Sequence, residues 1–255
     1  MAFVIGRTIF DSQESPPVPV AIDLAPANAP LLRRFCDSRS GACTYLIGSA
    51  DEVALIDPVR DHVSLYLGVI EELGCRLKLV LETHLHADHL SAAASLRELT
   101  GARVIAPRDS TIENADLLVG DGAHLELGST VIDVLATPGH TPSALTYRWG
   151  DRLFTGDTLL IGDCGRCDEP GGNAGQLYDS LYRKLLPLAD ELLVYPGHDR
   201  EERWVSCIGE ERRRNPLFRG LSRDEFISRC NQAREPLPTD LFDNLAANRR
   251  CGRVD

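Results

Sequence analysis

The chain has 255 residues, of which 43% are apolar and 25% are charged, and this composition suits a globular protein with one sizeable core. The formal net charge of −11 argues against nucleic acid and anionic membranes as partners, because both are bound by basic surfaces. No apolar run approaches the roughly 20 residues that cross a bilayer. The segment Met1–Arg7 also lacks the pattern of an export signal, so the cytoplasm is the expected compartment.

The first segment differs in composition from the rest of the chain. Residues 1–30 are rich in proline and alanine, which predicts an irregular arm with at most one short strand around Val18–Leu24. We expect residues 31–255 to form one domain that carries the active site and ends in a short C-terminal tail.

Strands dominate the predicted elements from residue 31 onwards. Short apolar runs bounded by turn residues predict strands at Cys43–Ile47, Val53–Asp57, Leu77–Glu82, Val104–Ala106, His124–Leu127, Val131–Leu135, Leu145–Trp149, Arg152–Thr155 and Glu191–Tyr195. Helical spacing predicts helices at Val63–Leu73, Ser91–Leu99 and Leu177–Leu186, and polar helices at about Glu201–Arg212 and Arg223–Arg234. Two packed sheets with helices outside satisfy this order, although the pattern alone leaves a plain α/β layer fold open.

Five of the seven histidines lie just after strand-like segments. His84 and His86 are two residues apart, so in extended backbone both rings point to one side. Asp88 follows at the predicted start of a helix. Imidazole and carboxylate side chains together favour a first-row transition metal. The candidate metal-site residues are His84, His86, Asp88, His89, His140, Asp157 and His198. His62 and His124 are interpreted as ordinary surface or core side chains.

Four segments together resemble the successive metal-binding motifs of the metallo-β-lactamase superfamily. They are Thr83–His89, Gly139–Thr141, Gly156–Asp157 and Gly197–His198, in that family's order and spacing over about residues 40–200. The resemblance implies an α/β fold of the αββα type, a sandwich of two mixed sheets flanked by helices, with the metal at the sheet edges.

Two further segments resemble one branch of that superfamily, the persulfide dioxygenases, which are related to glyoxalase II. The segments are Cys164–Asp168 and Ala246–Gly252. Ala87 and the short C-terminal tail also favour this branch over glyoxalase II. Glyoxalase II usually has a bulky aromatic residue at the position of Ala87, and it has a helical substrate-binding domain in place of a short tail. This resemblance implies one Fe(II) per chain, bound by His84, His140 and Asp157. It also implies that the surrounding groups orient ligands or relay protons, namely His86, Asp88, His89 and His198.

The resemblance is incomplete around the substrate. It implies substrate contacts from Thr141, Arg166 and Asp168, and a contact at position 200, where the family usually has Tyr and this chain has Arg200. The chain also departs from the family at Ser143, Cys167 and Glu169, where Gly, Thr and an aromatic residue are usual. These departures leave the identity of the persulfide open. Arg166 and Arg200 are the candidates to pair with substrate carboxylates.

The predicted reaction is the oxidation of a low-molecular-weight thiol persulfide, such as glutathione persulfide, by dioxygen to sulfite and the thiol. One alternative is a glyoxalase II-like thioester hydrolase with a dinuclear metal site. Another is a non-catalytic sulfur carrier in which Cys164, Cys167 or Cys251 holds the persulfide. The C-x-x-C of Cys164 and Cys167 is otherwise interpreted as two ordinary thiols. The expected partners are the persulfide and dioxygen, and a homodimer is compatible with the sequence.

Overall fold

The computed structural model describes residues 21–22, 31–49, 51–199, 203–232 and 236–254. Most of the predicted N-terminal arm, residues 1–30, lies outside the described residues, and so does Arg200. The short strand expected around Val18–Leu24 is represented by Ala21–Ile22, which pairs with the strand that begins at Leu31.

The first sheet contains seven strands in chain order. They are β1 (Ala21–Ile22), β2 (Leu31–Cys36), β3 (Cys43–Ser49), β4 (Glu52–Ile56), β5 (Arg76–Leu81), β6 (Arg103–Pro107) and β7 (Leu117–Val119). Strands β1 to β4 are antiparallel neighbours, and β4 to β7 are parallel. Parallel neighbours need a crossover, and two of these crossovers are helices, α1 (Val63–Glu72) and α2 (Ala93–Thr100).

The second sheet is formed by the later part of the chain. Its strands are β8 (His124–Leu127), β9 (Thr130–Ala136), β10 (Leu145–Trp149), β11 (Arg152–Gly156), β14 (Leu193–Pro196) and β15 (Ser206–Cys207), in the spatial order β15-β14-β11-β10-β9-β8. Strands β11 and β14 are parallel, and the other neighbours are antiparallel. The crossover between β11 and β14 carries a small hairpin of β12 (Leu159–Leu160) and β13 (Asp163–Cys164), and then helix α3 (Ala174–Ser180).

Three helices follow the second sheet: α4 (Ile208–Arg214), α5 (Arg223–Cys230) and α6 (Leu241–Asn248). Helix α3 continues into a π-helical stretch at Leu181–Leu185, so together they cover most of the helix predicted at Leu177–Leu186. Among the described residues, no helix is both long and apolar enough to cross a membrane.

The buried side chains form three layers, because alternate residues of a strand face opposite sides of its sheet. In β3, Tyr45 and Ile47 face the core between the two sheets, whereas Leu46 faces the core beneath α1 and α2. A third core lies outside the second sheet, where Leu153 packs with Phe226 of α5. Helices therefore cover both outer faces of two mixed sheets, and the predicted αββα sandwich is confirmed.

The prediction of a helix over Glu201–Arg212 is wrong in its described first half. Residues 203–205 are irregular, Ser206–Cys207 is strand β15, and the helix begins only at Ile208. The Asp199 carboxylate accepts hydrogen bonds from the backbone N–H groups of Arg203, at 3.3 Å, and Trp204, at 2.8 Å. Trp204 has a φ of +69°, which breaks helical geometry. Asp88 also does not begin a helix, because α2 starts at Ala93.

Candidate metal centre

The segments that follow the strands bring the predicted ligands to one edge of the sandwich. His84 follows β5 of the first sheet, whereas His140 and Asp157 follow β9 and β11 of the second. One ligand atom from each of these three side chains lies within 4.8 Å of the other two. Bonds of roughly 2.0–2.2 Å to a first-row metal place ligand atoms at most about 4.4 Å apart, so small adjustments let all three share an ion.

The first ligand is oriented by a chain of hydrogen bonds that starts at Asp57. The Thr83 hydroxyl donates to the Asp57 carboxylate at 2.7 Å, so it can accept from Nδ1–H of His84 at 2.8 Å. Asp57 also accepts the backbone N–H of Thr83 at 2.7 Å. Burial lowers the pKa of His84 well below its ordinary value, and His86 and His140 lower it further. The neutral ring therefore keeps a lone pair on Nε2 for a metal.

His140 is oriented in the same way by a backbone carbonyl. Its Nδ1 donates to the carbonyl oxygen of Arg166 at 2.8 Å, which leaves Nε2 as the metal-facing atom. This Nε2 lies 3.7 Å from Oδ2 of Asp157 and 3.8 Å from Oε2 of Glu169. Burial raises the pKa of Glu169, and its side chain is only 9% exposed. A second carboxylate thus faces the site, which the sequence analysis did not anticipate.

His198 connects Asp157 to the first motif. Its Nδ1 lies 2.8 Å from Oδ1 of Asp157, and its Nε2 lies 3.1 Å from Oδ2 of Asp88. Asp88 in turn accepts from Nδ1 of His89 at 3.0 Å. Burial alone would lower the pKa of His198, but the two carboxylates raise it well above its ordinary value. Burial would likewise raise the pKa of Asp157, but His198 and the nearby imidazoles hold it well below its usual range.

His86 takes part in a neighbouring cluster. Its Nε2 lies 3.1 Å from Oδ1 of Asp57 and 3.2 Å from Oε2 of Glu82. A ligand atom of His86 also lies within 4.8 Å of ligand atoms of Asp88 and His89. Asp57 therefore contacts His86 directly and orients His84 through Thr83. Asp57 is buried with a φ of +50° at the end of β4, and its place just after an apolar strand was the available sequence signal.

Two glycines allow the backbone to approach the ligands closely. Gly156 has a φ of +48°, and a Cβ there would lie 2.6 Å from the Thr83 hydroxyl oxygen. A Cβ at Gly197 would lie 2.5 Å from Oδ1 of Asp157. Side chains at these positions would displace groups that orient or form the ligand set, which explains the glycine before Asp157 and before His198.

Helix α6 holds the first motif from behind. Nδ2 of Asn248 donates to the carbonyl oxygens of His86, at 2.9 Å, and His89, at 2.7 Å. Asn244 donates from Nδ2 to the carbonyl oxygen of Ala87 at 3.0 Å. Asn248 is 3% exposed, so these bonds are shielded from water. The resemblance at Ala246–Gly252 pointed to this segment, but the sequence analysis did not predict the helix or its contacts.

A cavity of about 760 Å³ opens in front of His140 and Asp157. Arg166 and Glu169 line it, as do Asp88, His89 and His198. The Arg166 guanidinium forms two hydrogen bonds with the Asp168 carboxylate, at 2.7 and 2.9 Å.

The four predicted substrate-binding residues are therefore placed differently. Arg166 is in the cavity wall, whereas Thr141 and Asp168 are not among the described lining residues. The Thr141 hydroxyl is buried and has no hydrogen-bond partner within the described part of the chain. Arg200 lies outside the described residues.

Each thiol of the C-x-x-C contacts another group. Sγ of Cys164 lies 4.0 Å from Sγ of Cys230, and Sγ of Cys167 lies 4.0 Å from the carbonyl oxygen of Gly165. Cys164 is fully buried, and burial raises the pKa of the buried Cys251 to about 11. Low exposure and a high pKa both disfavour thiolate chemistry, so these thiols are poor candidates for persulfide carriers.

Comparison with known proteins agrees with the geometry. Residues 40–198 match the Metallo-beta-lactamase superfamily. The mitochondrial persulfide dioxygenase ETHE1 of Mus musculus is 38% identical over 227 residues, which are 87% of this chain and 89% of the mouse protein. The crystal structure of ETHE1 from Myxococcus xanthus has a TM-score of 0.85 and 45% identity, covering 88% of this chain and all of that one. A Staphylococcus aureus metallo-beta-lactamase structure has a TM-score of 0.82 and 26% identity, covering 90% of this chain and 74% of that one.

Proposed function

The chain belongs to the metallo-β-lactamase superfamily and, within it, to the persulfide dioxygenases, and from that premise we propose that it uses a single iron ion to oxidise a low-molecular-weight persulfide. The products would be sulfite and the thiol, with dioxygen as the second substrate. The observation that carries the proposal is the convergence of His84, His140 and Asp157 in a chain that matches these enzymes over 87% of its length.

The residues present fit an iron ion. Two imidazoles and one carboxylate form the donor set typical of non-haem iron oxygenases, which leave coordination positions open. Nδ1 of His84 and of His140 is occupied by a hydrogen bond, so each ring is restricted to one donor atom. When bound, Fe(II) would supply the electron transfer to dioxygen that a closed-shell zinc ion does not.

The surrounding side chains would position the ligands and hold protons. His198 has a carboxylate on each ring nitrogen, which favours its protonated form beside Asp157. Asp57 fixes Thr83 and thereby the ring of His84. We assign the same supporting role to His86, Asp88 and His89, because they surround the triad and are tied to other carboxylates or to one another.

We propose that the persulfide enters the cavity between Arg166 and Glu169. Arg166 is paired with Asp168 but retains the charge to attract a substrate carboxylate at the cavity wall. Glu169 places a carboxyl group near the metal-facing nitrogen of His140, and this group disfavours an anion at that point when it is ionised. Contacts from Thr141 and Arg200 remain predictions of the resemblance, and the cytoplasmic location and the division at residue 30 remain predictions from the sequence pattern.

The thioester hydrolase remains the second candidate. The observation that favours it is the second ligand cluster of His86, Asp88 and His89, whose ligand atoms lie within 4.8 Å of one another. Together with His198, these groups offer donors for a second ion. The two candidates differ in the number of ions that the chain needs.

Metal analysis and two activity assays test the proposal. Protein purified without chelators should contain about one iron per chain, and a persulfide should cause oxygen uptake with equivalent sulfite formation. Two ions per chain, together with hydrolysis of an acyl-glutathione thioester and no oxygen uptake, would instead establish the hydrolase. Testing several persulfides, including glutathione persulfide and cysteine persulfide, identifies the substrate class.

A further inference from the structure

A pair of thiols lies beside the metal centre at the end of the first hairpin. Cys36 ends β2 and Cys43 begins β3, and the two residues are direct partners in the antiparallel register. The backbone N–H of Asp37 donates to Ala42 at 2.8 Å, whereas that of Cys43 donates to Gly197 at 2.7 Å. Cys36 and Cys43 therefore occupy a non-hydrogen-bonded pair, where Cα atoms are about 4.5 Å apart and side chains are close.

This position suits a disulfide. Disulfide-linked residues have Cα atoms roughly 4.4–6.8 Å apart, a range that includes the non-hydrogen-bonded spacing. The two Sγ atoms already lie 3.8 Å apart. Cys36 is partly exposed and Cys43 is buried, so Cys36 is the thiol that a reagent reaches first.

A buried cation lies next to the pair. Nη2 of Arg34 is 3.1 Å from Sγ of Cys43 and 3.0 Å from Oδ2 of Asp199. The hydrogen bond with Cys43 lowers the pKa of Cys36; burial opposes this effect, and the Arg34 charge adds to it. A nearby guanidinium stabilises a thiolate, which favours Cys36 as the nucleophile of the pair.

The same contacts lead to the metal centre. The backbone N–H of Cys43 donates to the carbonyl oxygen of Gly197, and the Arg34 guanidinium pairs with the Asp199 carboxylate. These two contacts hold the residues on both sides of His198. A Cβ at Gly41 would lie 3.7 Å from Cδ2 of His198. A change in the position of Cys43 or Arg34 therefore shifts His198, the histidine that contacts Asp157.

We propose that Cys36 and Cys43 form a sulfur-reactive pair that persulfides and polysulfides convert to a reversible disulfide, and that this oxidation alters the loop carrying His198. The Cys36 thiolate attacks the terminal sulfur of R–S–SH and breaks its S–S bond, which forms Cys36–S–SH and releases RS⁻; RS⁻ takes up the proton that Cys36 gave up and becomes the thiol RSH. The Cys43 thiol then attacks Sγ of Cys36, which forms the disulfide and releases H₂S. Two thiols are oxidised and one persulfide is reduced to RSH and H₂S. The proposal rests on the proposed function only in taking the persulfide as the oxidant.

A second thiol pair provides an internal control. Cys164 and Cys230 have Sγ atoms 4.0 Å apart, at nearly the same distance, but both side chains are buried in the core outside the second sheet. If proximity alone decided reactivity, both pairs would react alike. Because Cys36 is partly exposed whereas Cys164 and Cys230 are buried, access to a reagent distinguishes the two pairs.

The test uses the reduced, iron-loaded chain treated with inorganic polysulfide. Free thiols are alkylated, and linked peptides are identified by mass spectrometry. We expect a peptide linking Cys36 to Cys43 that dithiothreitol removes, while Cys164 and Cys230 remain alkylated. Cys36→Ser should yield no linked peptide, and Cys75→Ser, which removes a partly exposed thiol elsewhere, should behave as the wild type.

The effect on the loop has its own measurement. The Arg34 guanidinium lies 5.5 Å from the centre of the Trp204 ring, so tryptophan fluorescence should change on oxidation in the wild type and in Cys75→Ser, but not in Cys36→Ser. Oxygen uptake with a persulfide should fall several-fold in the oxidised wild type and the oxidised Cys75→Ser variant, and dithiothreitol should restore it. The linked peptide and the fluorescence do not depend on turnover, so they test the pair even if the proposed reaction fails.

Three outcomes overturn the inference. The first is the absence of a Cys36–Cys43 peptide after polysulfide treatment. The second is equal linking of Cys164 to Cys230, which would mean that oxidation follows unfolding. The third is a disulfide that forms without any change in fluorescence or turnover, which would remove the connection to His198.

Discussion

The side-chain amide of Asn248 donates a hydrogen bond to the backbone carbonyl of His86, 162 residues earlier in the chain, at 2.9 Å. The same amide nitrogen bonds the carbonyl of His89, and its oxygen accepts from the N–H of Ser91 at 2.9 Å. One side chain thus satisfies three backbone groups of the segment that carries the first metal motif.

Replacing Asn248 should loosen that segment. Asn248→Ala leaves buried carbonyl and N–H groups without partners, at a cost of about 2–4 kcal/mol in the free energy of unfolding. We expect a lower Tm and weaker iron retention against a chelator. Asn244→Ala is the matched control, since it removes only the bond to Ala87, and its effect should be smaller. Equal effects from the two variants would contradict the assigned role.

The iron content of alanine variants should distinguish the metal ligands from the supporting residues. Alanine at His84, His140 or Asp157 should abolish both iron binding and turnover, because a three-residue ligand set has no spare member. Alanine at His198 or Asp88 should leave most of the iron bound and lower turnover by about 10- to 100-fold. If a fully active wild type holds two ions and either supporting variant loses one of them, the mononuclear assignment is wrong.

Glu169 should influence the affinity for anionic persulfides. Its carboxylate lies 3.8 Å from Nε2 of His140 and lines the cavity, so an ionised side chain repels an anion there. We expect Glu169→Gln to lower KM by up to about 100-fold for an anionic persulfide, with a smaller change in kcat, since unit charges about 6 Å apart interact by roughly 3 kcal/mol at an effective dielectric constant of about 20. The comparison is steady-state oxygen uptake by the two proteins. An unchanged KM would show that the carboxylate does not face the substrate.

Asp37 should contribute stability that depends on pH. It accepts hydrogen bonds from Ser40 N, at 2.7 Å, and Ser40 Oγ, at 2.8 Å, and it contacts His62. Burial would raise its pKa, but these partners lower it below the ordinary value of 3.8. Since the folded pKa is depressed, the stabilisation is fully present above about pH 4 and is lost as pH falls through the lower folded value.

Urea unfolding of Asp37→Asn across this pH range measures the contribution. The variant should be less stable than the wild type by roughly 2 kcal/mol at pH 7, and the difference should shrink towards pH 3. Asp61→Asn is the control, because the Asp61 side chain is 59% exposed and its pair with Arg39 lies in water. A difference that is constant with pH would indicate that the carboxylate charge has no part in the stabilisation.

Much of the fold followed from local pattern, because strand alternation and turn residues act over a few positions. The strands around Cys43–Ile47 and Leu145–Trp149 were predicted close to their observed bounds. The gathering of His84, His140 and Asp157 also has a local origin, since each follows the end of a strand. The helix proposed from Glu201 failed because Asp199 captures backbone N–H groups of the following turn, and helical propensity does not include that competition.

Contacts between segments that are far apart in sequence leave no local pattern, so one sequence alone does not reveal them. Asn248 reaches the first motif only after the whole sandwich has formed. The pairing of Cys36 with Cys43 depends on the register of two strands, and the approach of Glu169 to His140 depends on the turn that follows β13. Asp57 carried a weak local signal, as an acidic residue directly after a buried strand.

The division of the ligands between the two sheets also bears on how the protein could be assembled from pieces. His84 belongs to the first half of the chain, whereas His140 and Asp157 belong to the second, so neither half holds a complete ligand set. A nick in the turn at Gly120–Gly122 would separate the halves while leaving every ligand intact. Iron uptake by the two co-expressed halves, and by neither half alone, would then report their reassociation, and the metal centre would serve as a built-in sensor for complementation of a split enzyme.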